Sequence, residues 1–303
     1  MRGRLWAALI AAVLLLRGAG VLPDGQEMEE LTLITALGLD GGEIVEATAV
    51  TGIHGEREAE VLTGVGVGPA AACRDMELSR PTRAYLGQAR QLLLGEELAR
   101  ERLGEVLDFI LTDGSLRLDT LLYIVRGKAG PGLAASLELA SDGETAARRG
   151  RTVGELLARL AEGERVPIPA LAPGEDGRLA PAGWAVAGPE GVEDFLDGDA
   201  ARGTALLLGL GRGDVIALPQ GAAELTQVRC GAVRGTLRCR IAARTAEGSV
   251  DVRLLELWAE GCIRAALARG ADLWGLERMQ RMTGGERPVG ALDIMVTGSV
   301  EER

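Results

Sequence analysis

Residues 31–51 read LTLITALGLDGGEIVEATAVT, and this stretch decides how the first half of the chain folds. Two apolar, β-compatible runs, 31–39 and 43–51, flank the turn signal Asp-Gly-Gly at 40–42. Such a turn between two runs is typical of a β-hairpin, because glycine readily adopts the positive φ that tight turns require. The stretch therefore predicts two paired strands.

Strands and helices alternate after this hairpin. Residues 89–94 form a short apolar run, residues 96–111 carry apolar side chains at helical spacing, and residues 120–125 form another buried run. A further amphipathic helix is predicted over 153–160. This order predicts a multidomain α+β fold with mixed or antiparallel sheets flanked by helices.

Proline marks the main predicted boundary. Residues 166–181 contain four prolines. Because proline lacks a backbone N–H and interrupts regular structure, we expect this segment to be a linker. The linker would separate an N-terminal α+β domain, residues 22–165, from a C-terminal α+β region, residues 182–303. We expect the C-terminal region to contain two subdomains that divide near residue 222.

Two of the four cysteines face each other in a predicted hairpin. Residues 225–242 are typical of two strands joined at Arg234-Gly235, which places Cys230 opposite Cys239. In this register they form a non-hydrogen-bonded pair with Cα atoms about 4.5 Å apart, within the range of a disulfide. The sequence leaves two alternatives open, a disulfide and a pair of free buried thiols, because a one-residue shift of the turn separates the side chains.

The start of the chain, residues 1–20, is typical of a secretory signal. Arg2 and Arg4 give a positive start, residues 5–16 are uninterrupted apolar, and small residues follow at 18–20. Twelve helical residues reach about 18 Å, less than the ~30 Å hydrocarbon core of a bilayer. We therefore expect a signal peptide or a shallow N-terminal anchor, with the rest of the chain exported.

Composition argues against several classes of function. The net charge of −11 opposes binding to nucleic acid. The single histidine, His54, has no cysteine or histidine nearby, and no Ser/His/Asp or Cys/His grouping is present, so no catalytic, metal or cofactor site is predicted. The glycine-rich residues 64–68 lack the Lys-Ser/Thr of a phosphate loop. Cys73 and Cys262 are predicted to be core residues.

Several blocks, in the same order, resemble the C subunits of spore germinant receptors, the Ger(x)C type. The most recognisable is RAYLG at 83–87 followed by QLLLGEELAR at 91–100. The other blocks are an acidic lead-in at 24–31, Gly-Leu-Asp at 38–40, GWAVA at 183–187 and DLWGL at 272–276.

The resemblance implies a non-enzymatic subunit on the outer face of the spore inner membrane. Such a subunit acts with membrane-embedded A and B subunits in nutrient-triggered germination, and it contacts the membrane surface. One departure is important. The family's lipidated cysteine falls at Leu22, and the tryptophan that follows it falls at Pro23. Lipidation at that position is therefore chemically impossible. Either the uncleaved leader or partner subunits hold the protein at the membrane, or the protein is released.

Two other functions are compatible with the sequence. The first is a stand-alone extracytoplasmic protein that binds a small ligand or a peptide between two lobes. The second is a secreted hydrolase whose Asp or Glu side chains converge in the fold.

Overall fold

The computed structural model describes residues 31–51, 60–78, 83–131, 133, 151–270, 276, 278–279, 282–285 and 292–301. Within these ranges the chain forms a ten-stranded sheet, a four-stranded sheet and six helices. The predicted α+β class is confirmed. The predicted leader, Leu22 and His54 lie outside the described residues.

Residues 31–196 form the first sheet and four helices. In chain order they are β1 (Leu31–Asp40), β2 (Val45–Thr51), β3 (Val61–Gly66), α1 (Pro69–Leu78), β4 (Arg83–Tyr85), β5 (Gln91–Gly95), α2 (Glu96–Glu101), α3 (Leu103–Asp113), β6 (Leu121–Val125), β7 (Arg151–Thr152), α4 (Val153–Ala161), β8 (Val166–Pro173), β9 (Leu179–Gly188) and β10 (Gly191–Leu196). The sheet order is β10-β9-β8-β6-β5-β1-β2-β3, with β4 beside β1 and β7 beside β6. β1, β5, β6 and β8 are mutually parallel, and antiparallel strands flank them.

The parallel centre of this sheet is apolar on both faces. All five residues of β5 are buried. Leu92 and Leu94 belong to the core under the helices, whereas Leu93 packs with Tyr123 and Val125 on the opposite face. A parallel sheet needs cover on both sides, which is why these strands appear in the sequence as continuous apolar runs.

Helix α1 packs directly on β3 because glycines line the contact. A Cβ on Gly64 would overlap backbone atoms of Ala72 and Met76, and a Cβ on Gly66 would overlap Ala71. In this structure the glycine-rich segment permits close packing between a helix and a strand.

The prediction that residues 166–181 form a linker is wrong. β8 and β9 occupy most of this segment and pair with each other inside the first sheet. Six of the eight residues of β8 are buried, so burial outweighs the preference of proline for irregular structure. Among the described residues, β8 pairs with β6 only through Ala170 and Leu171. Pro167 and Pro169 come before this pairing, on a part of β8 whose edge toward β6 is free, and a free edge tolerates proline.

Residues 197–301 contain the second sheet. Its elements are α5 (Gly198–Leu207), β11 (Val215–Leu218), β12 (Gly221–Val233), β13 (Thr236–Gly248), α6 (Val252–Ala268) and β14 (Asp293–Glu301). The sheet order is β11-β12-β13-β14, and β14 runs parallel to β13. α5 and α6 cover one face and close a second hydrophobic core.

The register of the β12–β13 hairpin is the predicted one. Arg234 and Gly235 form the turn with positive φ, and Cys230 faces Cys239 across the two strands. The structure joins the two Sγ atoms in a disulfide. Cys239 is completely buried in the second core, so the bond lies on the face that the helices cover.

Candidate functional site

Two of the family-like sequence blocks, Gly-Leu-Asp at 38–40 and the block at 91–100, meet at one edge of the first sheet. Asp40 ends β1, Gly95 ends β5, and residues 126–130 follow β6. These strands are parallel neighbours, so their carboxyl ends lie side by side. Ligands of open α/β sheets bind outside the carboxyl ends of the strands. We therefore take this edge as the candidate site.

Asp40 fixes the floor of the site. Its side chain is only 2% exposed and accepts hydrogen bonds from the backbone N–H groups of Ala129 (2.6 Å) and Gly130 (2.8 Å). A Cβ on Gly95 would collide with this carboxylate, so glycine is required there. Burial raises the pKa of Asp40, and the two N–H donors oppose the rise. The contacts tie β1 to the loop after β6.

An open cleft of about 390 Å³ lies above this floor. Its rim carries charges of both signs. Lys128 bonds Glu46 through its Nζ at 3.0 Å, and Arg100 bonds Glu96 through its Nε at 3.0 Å. The Glu46 carboxylate raises the pKa of Lys128, which is the single lysine of the chain. The cleft suits a polar ligand or a charged protein loop better than an apolar molecule. The lining residues are Asp40, Gly41, Gly95, Glu96, Glu97, Arg100, Glu101, Gly127 and Lys128.

Two arginines connect the cleft to the rest of the molecule. The guanidinium groups of Arg100 and Arg126 lie 5.1 Å and 4.9 Å from the centre of the Phe195 ring, within the range of cation–π attraction. Next to this ring, Arg269, which directly follows α6, donates to both carboxylate oxygens of Asp194. These contacts hold the cleft against β10 and hold β10 against the end of α6.

The described residues offer no activated nucleophile or metal cluster. Within these ranges, no group of three or more His, Cys, Asp or Glu side chains is arranged to hold a metal ion. Burial raises the pKa of Cys73 and of Cys262 to about 12, so both thiols are protonated near neutral pH. Both are buried core residues, as predicted.

Sequence reasoning missed the loop that completes the cleft. Asp40 and the block at 91–100 were recognised, but residues 126–130 were not singled out. The signal that was available is a positive pair, Arg126 and Lys128, directly after a buried strand. Its proximity to Asp40 depends on strand order, which no local pattern encodes.

Comparisons with known proteins agree with this organisation. Residues 24–141 match the family model described as the spore germination protein N-terminal domain. The fold is similar to that in the crystal structure of the GerBC protein, with a TM-score of 0.50 and 16% identity over 88% of this chain and 96% of that chain. No curated protein sequence matches the chain. None of the described helices is long and apolar enough to span a membrane.

Proposed function

We propose that the protein is a non-enzymatic C-type subunit of a germinant receptor, since residues 24–141 match the spore germination protein N-terminal domain family. It acts with membrane-embedded A and B subunits on the outer face of the spore inner membrane and helps to trigger germination. The observation that carries the proposal is that two of the family-like blocks, the one that ends at Asp40 and the one at 91–100, line one cleft. The predicted leader supports export of the chain.

The cleft is the region that we propose for docking of a partner subunit. Lys128 and Glu46 are more than half exposed, and they stand on a rigid edge that Asp40 fixes from below. An exposed ion pair contributes little to folding, so its groups are free to exchange partners at an interface. Docking here leaves the second sheet available for other contacts.

The single lysine makes the proposal testable. The full chain is expressed with the A and B subunits, the membranes are treated with a short amine-reactive cross-linker, and cross-linked peptides are identified by mass spectrometry. We expect a cross-link between Lys128 and a membrane subunit. Lys128→Arg keeps the charge and removes the amine, so it should abolish this cross-link while the subunits still co-purify.

A relocated amine provides the control. Arg117 is exposed and precedes β6, so it lies at the opposite end of the strand from Lys128. Arg117→Lys in the Lys128→Arg background should give no cross-link to a membrane subunit. The proposal fails if the subunits never co-purify, or if the relocated lysine cross-links as well as Lys128 does.

A second candidate function is binding of a small ligand by the isolated protein. A cavity of about 480 Å³, within the usual size of ligand pockets, lies between α1, α3 and β4 and contains Tyr85 and Phe109. A ligand in this cavity would raise the melting temperature as its concentration exceeds its Kd. Thermal-shift screening against nutrients with the purified chain tests this function, and a response without partner subunits would favour it over the first.

A further inference from the structure

The outer face of the second sheet carries a cluster of arginines. Leu237, Cys239 and other alternate residues of β13 are buried under the helices, so Arg238 and Arg240 point away from them. Arg229 of β12 lies directly opposite Arg240 in the ladder. All three arginines are exposed, and they share one surface, which we call the arginine face.

The close spacing of the three positive charges opposes folding, and no ion pair among the described residues offsets it. Like charges directly opposite each other destabilise an antiparallel pair. Among the described residues, no carboxylate forms an ion pair with the three arginines. When the Gln227 amide is oriented for hydrogen bonding, its oxygen accepts from Arg229 at 3.1 Å. On the same strand pair Arg244 does bind a carboxylate, that of Glu224, at 2.7 Å. In a chain of net charge −11, this contrast points to positive charge kept for a partner.

Exposed apolar side chains accompany the arginines. Met295 of β14 lies beside Arg238 and is 51% exposed, and Val233 at the hairpin end is 39% exposed. Within β14, carboxylates appear only at its ends, Asp293 and Glu301. Guanidinium groups interspersed with apolar side chains match the interfacial layer of a bilayer, where phosphates pair with the cations and apolar groups approach the acyl chains.

We propose that the arginine face binds the surface of an anionic phospholipid bilayer. This proposal rests on the proposed membrane location. The arginine face provides a membrane contact in a chain that has Leu22 at the position of the family's lipidated cysteine. Each arginine at an anionic surface strengthens binding about fivefold, so three strengthen it on the order of 100-fold. The net negative remainder of the chain is repelled by the same surface, which orients the protein with this face toward the lipid. The exposed apolar side chains of Met295 and Val233 beside the arginines favour a bilayer over an acidic protein.

Vesicle co-sedimentation of the full chain tests the proposal. Binding is compared between vesicles of phosphatidylcholine alone and vesicles that also contain phosphatidylglycerol. The apolar leader contributes to both, so the ratio of the two partition coefficients reports the electrostatic contact. We expect Arg229→Gln/Arg238→Gln/Arg240→Gln to reduce this ratio on the order of 100-fold, and added salt to reduce the wild-type ratio as well.

Two matched variants control for net charge and for folding. Arg117→Gln/Arg253→Gln/Arg264→Gln removes the same charge from exposed arginines that are paired with carboxylates elsewhere, and it should keep the wild-type ratio. Replacement of the three arginines of the arginine face by lysine keeps the charge and should keep most of the ratio. Thermal unfolding of each variant verifies the fold.

Each other outcome overturns the proposal. An equal ratio for wild type and the arginine-face variant excludes this surface, and an equal loss in the control triple shows a general charge effect. If vesicles do not discriminate but the same three arginines are needed for co-purification with the membrane subunits in neutral detergent, the partner is an acidic protein surface. Because Lys128 cross-linking is measured separately, a failure here leaves the proposed receptor role standing.

Discussion

The two sheets of this protein bury their apolar side chains in different ways. In the first sheet the central strand β5 is buried along its whole length, and cores lie on both faces. In the second sheet the edge strand β14 alternates between exposed and half-buried residues, and the residues that the structure describes form a core on one face. Burial on both faces maximises apolar stabilisation, whereas a one-sided sheet leaves a surface free for contacts. Among the described residues, the first sheet therefore has apolar cover on both faces and offers its strand ends for contacts, whereas the second sheet offers an exposed face.

One side chain breaks this division. Trp184 belongs to β9 of the first sheet, yet it packs in the second core and donates from its indole N–H to the carbonyl of Ala201 in α5 at 3.1 Å. We expect Trp184→Ala to cost about 3–5 kcal/mol and to uncouple the two sheets, because it removes the largest side chain that both share. Two transitions should then appear in urea unfolding monitored by circular dichroism and in thermal unfolding monitored by calorimetry.

Trp184→Phe provides the control for this prediction. It keeps most of the apolar volume and loses only the hydrogen bond, so we expect a cost of about 1–2 kcal/mol and a single transition. If Trp184→Ala unfolds in one transition at nearly the wild-type denaturant concentration, the two sheets are not joined through this residue.

The disulfide is the next largest difference between the sheets. In the chain-entropy account, a bond between residues nine apart, Cys230 and Cys239, contributes about 2–3 kcal/mol. We expect Cys230→Ala/Cys239→Ala and treatment with reductant to destabilise the second sheet by similar amounts. Mass spectrometry of unreduced peptides first establishes whether the bond forms.

Cys73→Ala is the matched control, because this buried thiol lies in the first core. It should not alter the response to reductant. Free thiols at both hairpin positions in the exported protein would rule out the disulfide.

The same comparison explains what the sequence could predict. The hairpin around residues 40–42 and the register of Cys230 with Cys239 follow from local turn chemistry and alternation, and both were predicted correctly. The strand residues within 166–181 were missed because proline is a strong local signal, whereas the burial that overrides it comes from distant strands. The resemblance to germinant receptor C subunits is confirmed. The predicted register already places Arg229 opposite Arg240. The arginine face was nevertheless missed, because the sequence does not show which carboxylates lie close enough in the fold to pair with these arginines.

The surroundings of two carboxylates also differ between the two regions, with Asp40 buried and Asp214 half-buried. Asp40 accepts two backbone hydrogen bonds, whereas Asp214 beside β11 has the nearby Arg202 charge to oppose its burial. Burial raises the pKa of Asp214 from 3.8 to about 6. The folded state therefore holds this proton more tightly than the unfolded state, and the stability that it provides at low pH is lost as the pH rises through 6.

We expect Asp214→Asn to stabilise the protein by about 1–2 kcal/mol near neutral pH, because it removes the charge that burial penalises. The gain should fade as the pH falls from about 6 to about 4, where the wild-type carboxyl is protonated in the fold. Melting temperatures across this pH range give the measurement. Asp199→Asn, at an exposed carboxylate, controls for the loss of one negative charge. A gain that persists at low pH would mean that charge is not its cause.

The smallest effect concerns the arginine face. We expect Arg240→Thr to stabilise the folded protein by about 0.2–1 kcal/mol, because it relieves the repulsion from Arg229 and places a β-branched residue in a strand. The repulsive part should disappear at high salt, whereas a strand preference should not. Urea unfolding at low and high ionic strength separates the two contributions.

Arg244→Thr is the internal comparison, since it removes the same charge from the same strand but breaks the ion pair with Glu224. It should give no salt-dependent gain. If Arg240→Thr is stabilising only through a salt-independent contribution, the arginines do not repel each other measurably. If the gain is salt-dependent and the same variant binds anionic vesicles less well, stability and binding change in opposite directions at one residue. That opposition is expected where a surface retains charge for a partner at a small cost to the fold.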